Sequence, residues 1–362
     1  MTIKETYMTD SNTPFRRYGF RFVNLLFVWL LMSCQNMLPP PASPTLSATR
    51  THETALRDAP ATIATTPLPP VEAEILQLFD YDASAPIDME EVSVIEMDNG
   101  YSYHEITYAS PKGGRVPATL LVPTTSSGPF AGIILMHGLP GDRKDNASFA
   151  RSLVPTGAVV LMIDAPFARP ENRTRSEWPL TFSEVDRLEQ IQLMVDLRRG
   201  VDLLSAREDV DPERLAYVGY SYGAAMGGLL AGIEPRIKAF GLMVGDGGIV
   251  SHFTAADGTL FSELNRLSAE ERKTWLSLME PIEPIRFVGR AAPGSLFFQN
   301  ALRDEAVTRD DALAYQAAGS ESRRIEWYES GHFLPREAFR RMVEWLETRI
   351  GIDADRFTYM RP

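Results

Sequence analysis

The chain has 362 residues, 44% of them hydrophobic, and a formal net charge of −12. That length supports a sizeable core in one large domain or two small ones. The acidic balance argues against nucleic acid as a partner, because phosphate binding needs clustered Lys and Arg. A single cysteine excludes an intrachain disulfide and a cysteine-based zinc site.

At the N-terminus, Arg16, Arg17 and Arg21 precede an apolar run from Phe22 to Met32, broken by Asn24. The run is about eleven residues long, whereas a membrane-spanning helix needs about 20. A basic flank, a short apolar region and a small residue before a cut are the parts of a secretory signal peptide. The run ends Leu31-Met32-Ser33-Cys34, which resembles a bacterial lipobox. The resemblance implies a lipoprotein-type signal over residues 1–33 and lipidation of Cys34. It also implies export to the bacterial cell envelope, with the protein held on a membrane and facing outside the cytoplasm. Two or more acyl chains suffice for stable anchoring. A conventional signal, an uncleaved anchor and a cytoplasmic chain are the alternatives. Residues 34–70 read as a disordered tether: eight prolines from Pro39 to Pro70 are mixed with Ser, Thr and Ala. Such a segment buries too little apolar surface to offset its ordering entropy.

A globular pattern begins at residue 71, and residues 71–362 are expected to form one domain. A short helix fits Glu72–Phe79. Strand-like runs follow at Val92–Met97, Tyr101–Tyr108 and Val116–Val122, separated by Asp98-Asn99-Gly100 and by Pro111-Lys112-Gly113-Gly114. Asn-Gly between alternating runs signals a hairpin, hence an antiparallel opening. Strands and helices then alternate. Further strands are expected at Ile133–Met136, Val159–Ile163, Leu215–Val218, Ile237–Val244, Ser295–Phe298 and Arg324–Tyr328. Helices are expected at Glu184–Ala206, Ser262–Met279, Arg309–Ala318 and Arg336–Ile350. In the first of these, Val185, Leu188, Ile191, Val195, Val201 and Leu204 recur at helical spacing. The alternation implies an α/β class with a mostly parallel sheet covered on both faces. Ala165–Ser183 and Gly247–Leu260 read as insertions, which in compact domains serve as lids or pocket walls or are disordered.

The sharpest motif is Gly219-Tyr220-Ser221-Tyr222-Gly223. It has the Gly-x-Ser-x-Gly form of a nucleophile elbow, in which a strand turns abruptly into a helix and holds one hydroxyl outward. The apolar strand before it and the small-residue run Ala224-Ala225-Met226-Gly227-Gly228 after it fit that context. The plain alternative is a turn serine. A serine hydroxyl needs a base to become nucleophilic, and usually a carboxylate to orient that base. His332, just past the last expected strand, suits the base. His252 lies in an insertion and reads as a pocket or surface residue. Asp304, after Ser295–Phe298, suits the carboxylate, with Asp246 and Glu305 as runners-up. Asp164 reads as bracing the loop after its own strand. His137-Gly138-Leu139-Pro140-Gly141 follows another strand and suits an oxyanion loop. Two backbone N–H donors stabilise a developing oxyanion, and here they fall to Leu139 and Tyr222, since Pro140 has none. His137 itself reads as a brace for the loop.

In this order, the glycine loop, the Ser221 elbow, Asp304 and His332 resemble the α/β-hydrolase superfamily. Within it the chain resembles the dienelactone-hydrolase, acetyl-xylan-esterase and prolyl-oligopeptidase-like branches, over residues 100–350. The resemblance implies an eight-stranded, mostly parallel sheet with helices on both faces and an acyl-serine mechanism on small-molecule esters, with no metal or organic cofactor. Dienelactone hydrolases proper use a cysteine nucleophile, which this elbow lacks. A serine peptidase or amidase with the same triad, and a non-catalytic membrane-tethered binding protein on the same fold, are the rival readings.

Overall fold

The computed structural model describes residues 68–172, 179–254, 264 and 266–358. The expected leader, most of the tether and Cys34 lie outside the described residues. Residues 57–362 form one compact unit. Its strands are β1 (Glu90–Met97), β2 (Tyr101–Ala109), β3 (Arg115–Pro123), β4 (Phe130–Met136), β5 (Ala158–Ile163), β6 (Val210–Tyr220), β7 (Ala239–Met243), β8 (Leu296–Ala301) and β9 (Arg324–Tyr328). Its helices are α1 (Ala73–Gln77), α2 (Ala147–Leu153), α3 (Glu184–Ser205), α4 (Tyr222–Ala231), α5 (Ile249–Thr254), α6 (Ala269–Met279), α7 (Arg309–Ala318) and α8 (Arg336–Ile350).

The strands form one sheet in the order β1-β2-β3-β5-β4-β6-β7-β8-β9. The pairs β1–β2, β2–β3 and β3–β5 are antiparallel, and every pair from β5–β4 through β8–β9 is parallel. The sheet has nine strands, one more than the family resemblance implied. The chain's own patterning already carried nine runs. The outermost strand, β1, is exposed along its whole length, with Val92 68% and Ile95 54% exposed. It stays in the sheet through the hairpin at Asp98-Asn99-Gly100, where Gly100 takes φ +86°. That left-handed backbone suits a residue without a Cβ.

The inner strands are buried on both faces, as parallel strands between helical layers must be. β4 and β5 are buried at every position. One apolar layer gathers α3, α4 and the segments around α5 and α6, with Leu193, Met194, Leu197, Met226, Trp275 and Met279 inside it. The other gathers α2 and α8 through Phe149, Leu153, Met342, Trp345 and Leu346. Each fully buried aliphatic or aromatic side chain of this kind contributes about 1.5–3 kcal/mol. The inward stripe of α3 differs from the expected one. Val185 and Leu188 are exposed, and Ile191, Met194, Val195, Val201 and Leu204 carry the contact. The first turn instead docks through Asp186. Its carboxylate accepts from the Thr181 N–H at 2.7 Å and from Trp275 Nε1 at 2.8 Å. One buried acid thereby holds α3, α6 and the chain beside Leu180 together.

Candidate active site

β6 runs into α4 through Ser221, whose φ of +53° and ψ of −117° are unusual for a residue with a side chain. Close backbone approach explains the flanking glycines. A Cβ on Gly219 would lie 2.2 Å from the Gly223 carbonyl oxygen, and one on Gly223 would lie 2.5 Å from that of Met136. Surrounding bonds hold the strained turn. The Ser221 N–H donates to Met243 O at 2.8 Å, and the Tyr217 hydroxyl donates to Gly223 O at 2.6 Å. Tyr222 is the first residue of α4, so its N–H has no intrahelical acceptor.

The loop after β4 lies against the elbow: a Cβ on Gly138 would stand 3.3 Å from Ser221 Cβ. His137 is fully buried. Its Nδ1 pairs with Gly138 O at 2.7 Å, and its Nε2 lies 3.1 Å from the Ala165 N–H. An N–H facing Nε2 requires a neutral ring with Nδ1 as donor. Burial agrees, holding the ring's pKa below the usual histidine range. His137 therefore ties the glycine loop to the loop after β5. Asp164 braces the turn that follows the glycine loop, rather than the loop after its own strand. It accepts from the Arg143 N–H at 2.9 Å and pairs with the Arg143 guanidinium.

Past β8, Asp304 Oδ1 accepts from the N–H groups of Ala306 and Val307, each at 2.9 Å. This turn aims the carboxylate at His332, whose Nδ1 lies 2.9 and 3.0 Å from its two oxygens. With Nδ1–H donated to Asp304, Nε2 is the nitrogen able to accept a proton. Glu305 takes a different partner, the His332 backbone N–H at 3.2 Å. Asp246 takes a different histidine: its Oδ2 lies 2.7 Å from His252 Nδ1. The structure thus brings Asp304 to His332 and keeps Asp246 and Glu305 from that ring.

Ser221, His332, Leu139 and Tyr222 line one cavity of about 180 Å³. Among the described residues, the rest of its wall is mainly apolar and includes Leu180, Met226, Ile249, Phe253 and Val307, with Asp246 and His252 as the charged members. Both expected insertions contribute, Ala165–Ser183 through Leu180 and Gly247–Leu260 through Gly248, Ile249, His252 and Phe253. Phe167 stacks edge-on against both His137 and Tyr222, with centroids 5.7 and 5.6 Å apart.

Tyr220 has a role that the sequence reading missed. Its hydroxyl donates to His332 O at 2.7 Å and accepts from the Leu334 N–H at 3.1 Å. The residue before the serine therefore pins the loop that carries the imidazole. The one sequence signal is its place in the elbow, where strand alternation turns its side chain away from that of Ser221.

No family model matches the chain. Part of it is similar to the esterase FrsA of Yersinia pestis, 28% identical over 165 residues, which is 44% of this chain and 35% of that protein. The match thus spans about a third of the length of this curated relative. Among solved structures the chain is similar to acetyl xylan esterase 1 from Thermoanaerobacterium sp., with a TM-score of 0.64 and 15% identity over 81% of this chain and 96% of that one. It is also similar to an acetyl xylan esterase from Paenibacillus sp., with a TM-score of 0.61 and 17% identity over 77% of this chain and 95% of that one. These likenesses, with the mixed nine-stranded sheet and helices on both its faces, show that the chain has the α/β-hydrolase fold.

Proposed function

We propose that the protein is a serine hydrolase that cleaves carboxylic esters of small molecules through an acyl-serine intermediate. One observation carries the reading: a carboxylate-held imidazole, His332 on Asp304, lines the same cavity as the strained Ser221. In the proposed sequence Ser221 Oγ attacks the acyl carbonyl carbon while its proton passes to His332 Nε2. Asp304 keeps the imidazole in the required tautomer and offsets its positive charge. The Leu139 and Tyr222 N–H groups bind the oxygen that becomes negative, each worth about 3 kcal/mol in the transition state. The tetrahedral species collapses as His332 protonates the departing alkoxide. Water then gives a proton to His332 as its oxygen attacks the acyl carbon, and the acid leaves as His332 returns that proton to Ser221 Oγ. The esterase names among the similar proteins support this reading.

The test is a panel of 4-nitrophenyl esters combined with a fluorophosphonate probe. Ester turnover and labelling of Ser221, both lost in Ser221→Ala with folding retained, are expected. Absence of turnover and of labelling in the folded wild type would instead favour a binding protein on this fold. The proposal extends to an envelope lipoprotein anchored through Cys34, a residue outside the described part of the chain. Incorporation of labelled palmitate, abolished in Cys34→Ala, is the expected outcome.

A further inference from the structure

The candidate site uses one imidazole–carboxylate pair, and a second pair faces the cavity that His332 lines. Asp246 lies just past the end of β7. Six residues on, His252 sits on α5, with its Nδ1 2.7 Å from Asp246 Oδ2. Both side chains are largely buried, at 20% exposure for His252 and 7% for Asp246. Both line the cavity that holds Ser221. Among the described residues, the wall around them is largely hydrocarbon: Leu180, Ala225, Met226, Ile249, Phe253 and Val307. A buried ionisable pair in an apolar chamber costs desolvation free energy that a well-packed hydrophobic pair would not.

The scaffold holds the pair in place. Asp246 Oδ1 also accepts from the Gly248 N–H at 3.1 Å. Glu283 accepts from the N–H groups of Val250 and Ser251 at the start of α5, at 2.7 and 3.3 Å. Among the described residues, the charged and titratable groups facing His252 include Asp246 beyond β7, Asp304 beyond β8 and Asp311 on α7, and Glu283 stands next to Asp246. Burial alone would discharge His252. The Asp246 hydrogen bond and the three aspartate charges outweigh it and hold the ring's pKa above the usual histidine range. With Nδ1 turned to Asp246, the protonated ring brings an imidazolium to the cavity wall. Asp246 already balances that charge, and Asp304 and Asp311 repel a second anion. A neutral oxygen is then the group this wall suits.

We propose that His252, held by Asp246, is a specificity-determining residue that favours ester substrates whose acyl chain carries a neutral oxygen (ether, hydroxyl or ketone) over hydrocarbon chains of the same length. The inference rests on the ester-hydrolase reading. We assign the acyl half to this wall, since Tyr222, Ala225 and Met226, on the helix that follows the serine, line the same cavity as His252.

Two pairs of 4-nitrophenyl esters test this: butyrate against methoxyacetate, and pentanoate against 3-methoxypropanoate. Each pair exchanges one methylene for oxygen. The ratio of kcat/KM within a pair, compared between wild type and variant, cancels the intrinsic reactivity of the esters. In His252→Leu the oxygen-over-methylene ratio is expected to fall about tenfold or more in at least one pair, as loss of a charged polar contact implies. In the wild type the ratio should fall as pH rises through the titration of His252. Should His252→Leu fail to fold, Asp246→Asn, which removes the charge that keeps the ring protonated, is read in the same way. Ratios within twofold of wild type in the folded variant would overturn the proposal, as would faster turnover of a hemisuccinate ester than of either ether. A wild type inert towards all these esters defeats the hydrolase reading itself, and so is distinguishable.

Discussion

Two histidines, each paired with an aspartate, face one cavity, and they are held in different ways. His332 sits in the loop after β9. It is fixed by bonds from other strand ends: Asp304 from the turn after β8, and the Tyr220 hydroxyl from the end of β6. His252 sits on a six-residue helix in an insertion, and that helix starts on the buried carboxyl of Glu283. The first pair hangs on the rigid parallel sheet. The second hangs on a peripheral element tied to a titratable group. A sheet-held pair suits chemistry that tolerates little displacement. A pair on an insertion suits selection, where change of the wall is tolerated.

Substitutions are expected to separate the pairs by orders of magnitude. His332→Ala, like Ser221→Ala, is expected to lower kcat by about 10⁴-fold or more, measured with the best nitrophenyl ester. His252→Ala should cost no more than about 100-fold on the same ester. Comparable losses at the two histidines would remove the distinction. Asp304→Asn should cost on the order of 10³–10⁴ in kcat, because the amide favours the wrong imidazole tautomer. Asp246→Asn should cost far less.

Stability should part them as well. Burial, with the Asp246 charge adding to it, pushes the Glu283 carboxyl up to about 8, whereas an unfolded glutamate titrates near 4.3. Between those values the folded state keeps a proton that the unfolded chain releases, so stability falls as pH rises. Glu283→Gln is expected to flatten the loss between pH 5 and pH 8, a loss on the order of 3 kcal/mol in the wild type. Urea melts at the two pH values measure it. Equal slopes in wild type and variant would mean that the carboxyl is ionised throughout. The smallest effect is expected at the sheet-held pair's own tether. Tyr220→Phe should lower kcat about tenfold and stability by about 2 kcal/mol, the worth of two lost hydrogen bonds. Assays should show little change in KM, because the hydroxyl holds the base rather than the substrate.

Local signals made much of the parallel sheet legible. The Gly-x-Ser-x-Gly elbow is visible because the backbone there excludes a Cβ at Gly219 and Gly223. The limits of α7 and α8 coincide with the expected ranges. Thr308 caps α7, and Gly351 ends α8 in a left-handed turn. Short elements were harder to read. α2 and α5 have seven and six residues, too few for a 3.6-residue period to repeat. β6 begins at Val210 rather than near Leu215, because Asp211, Pro212 and Glu213 interrupt the apolar run. The outward turn of Val185 and Leu188 was hidden because Asp186, not an apolar side chain, docks that end of α3. The pairing of Asp246 with His252 carried no spacing signal at all. It arises where a loop meets a helix, and no periodic element relates the two residues.

The seam at Gly223 has a practical consequence. Carbonyl oxygens of Met136 and His137 stand 2.5 and 2.8 Å from where its side chain would begin. The β4 terminus and the α4 terminus are thus in main-chain contact, with no side chain between them to vary. The spacing of the Leu139 and Tyr222 amides is inherited from the backbone. A library randomised at position 139 can remodel the chamber while leaving that spacing intact, whereas any larger residue at 223 pries the two termini apart.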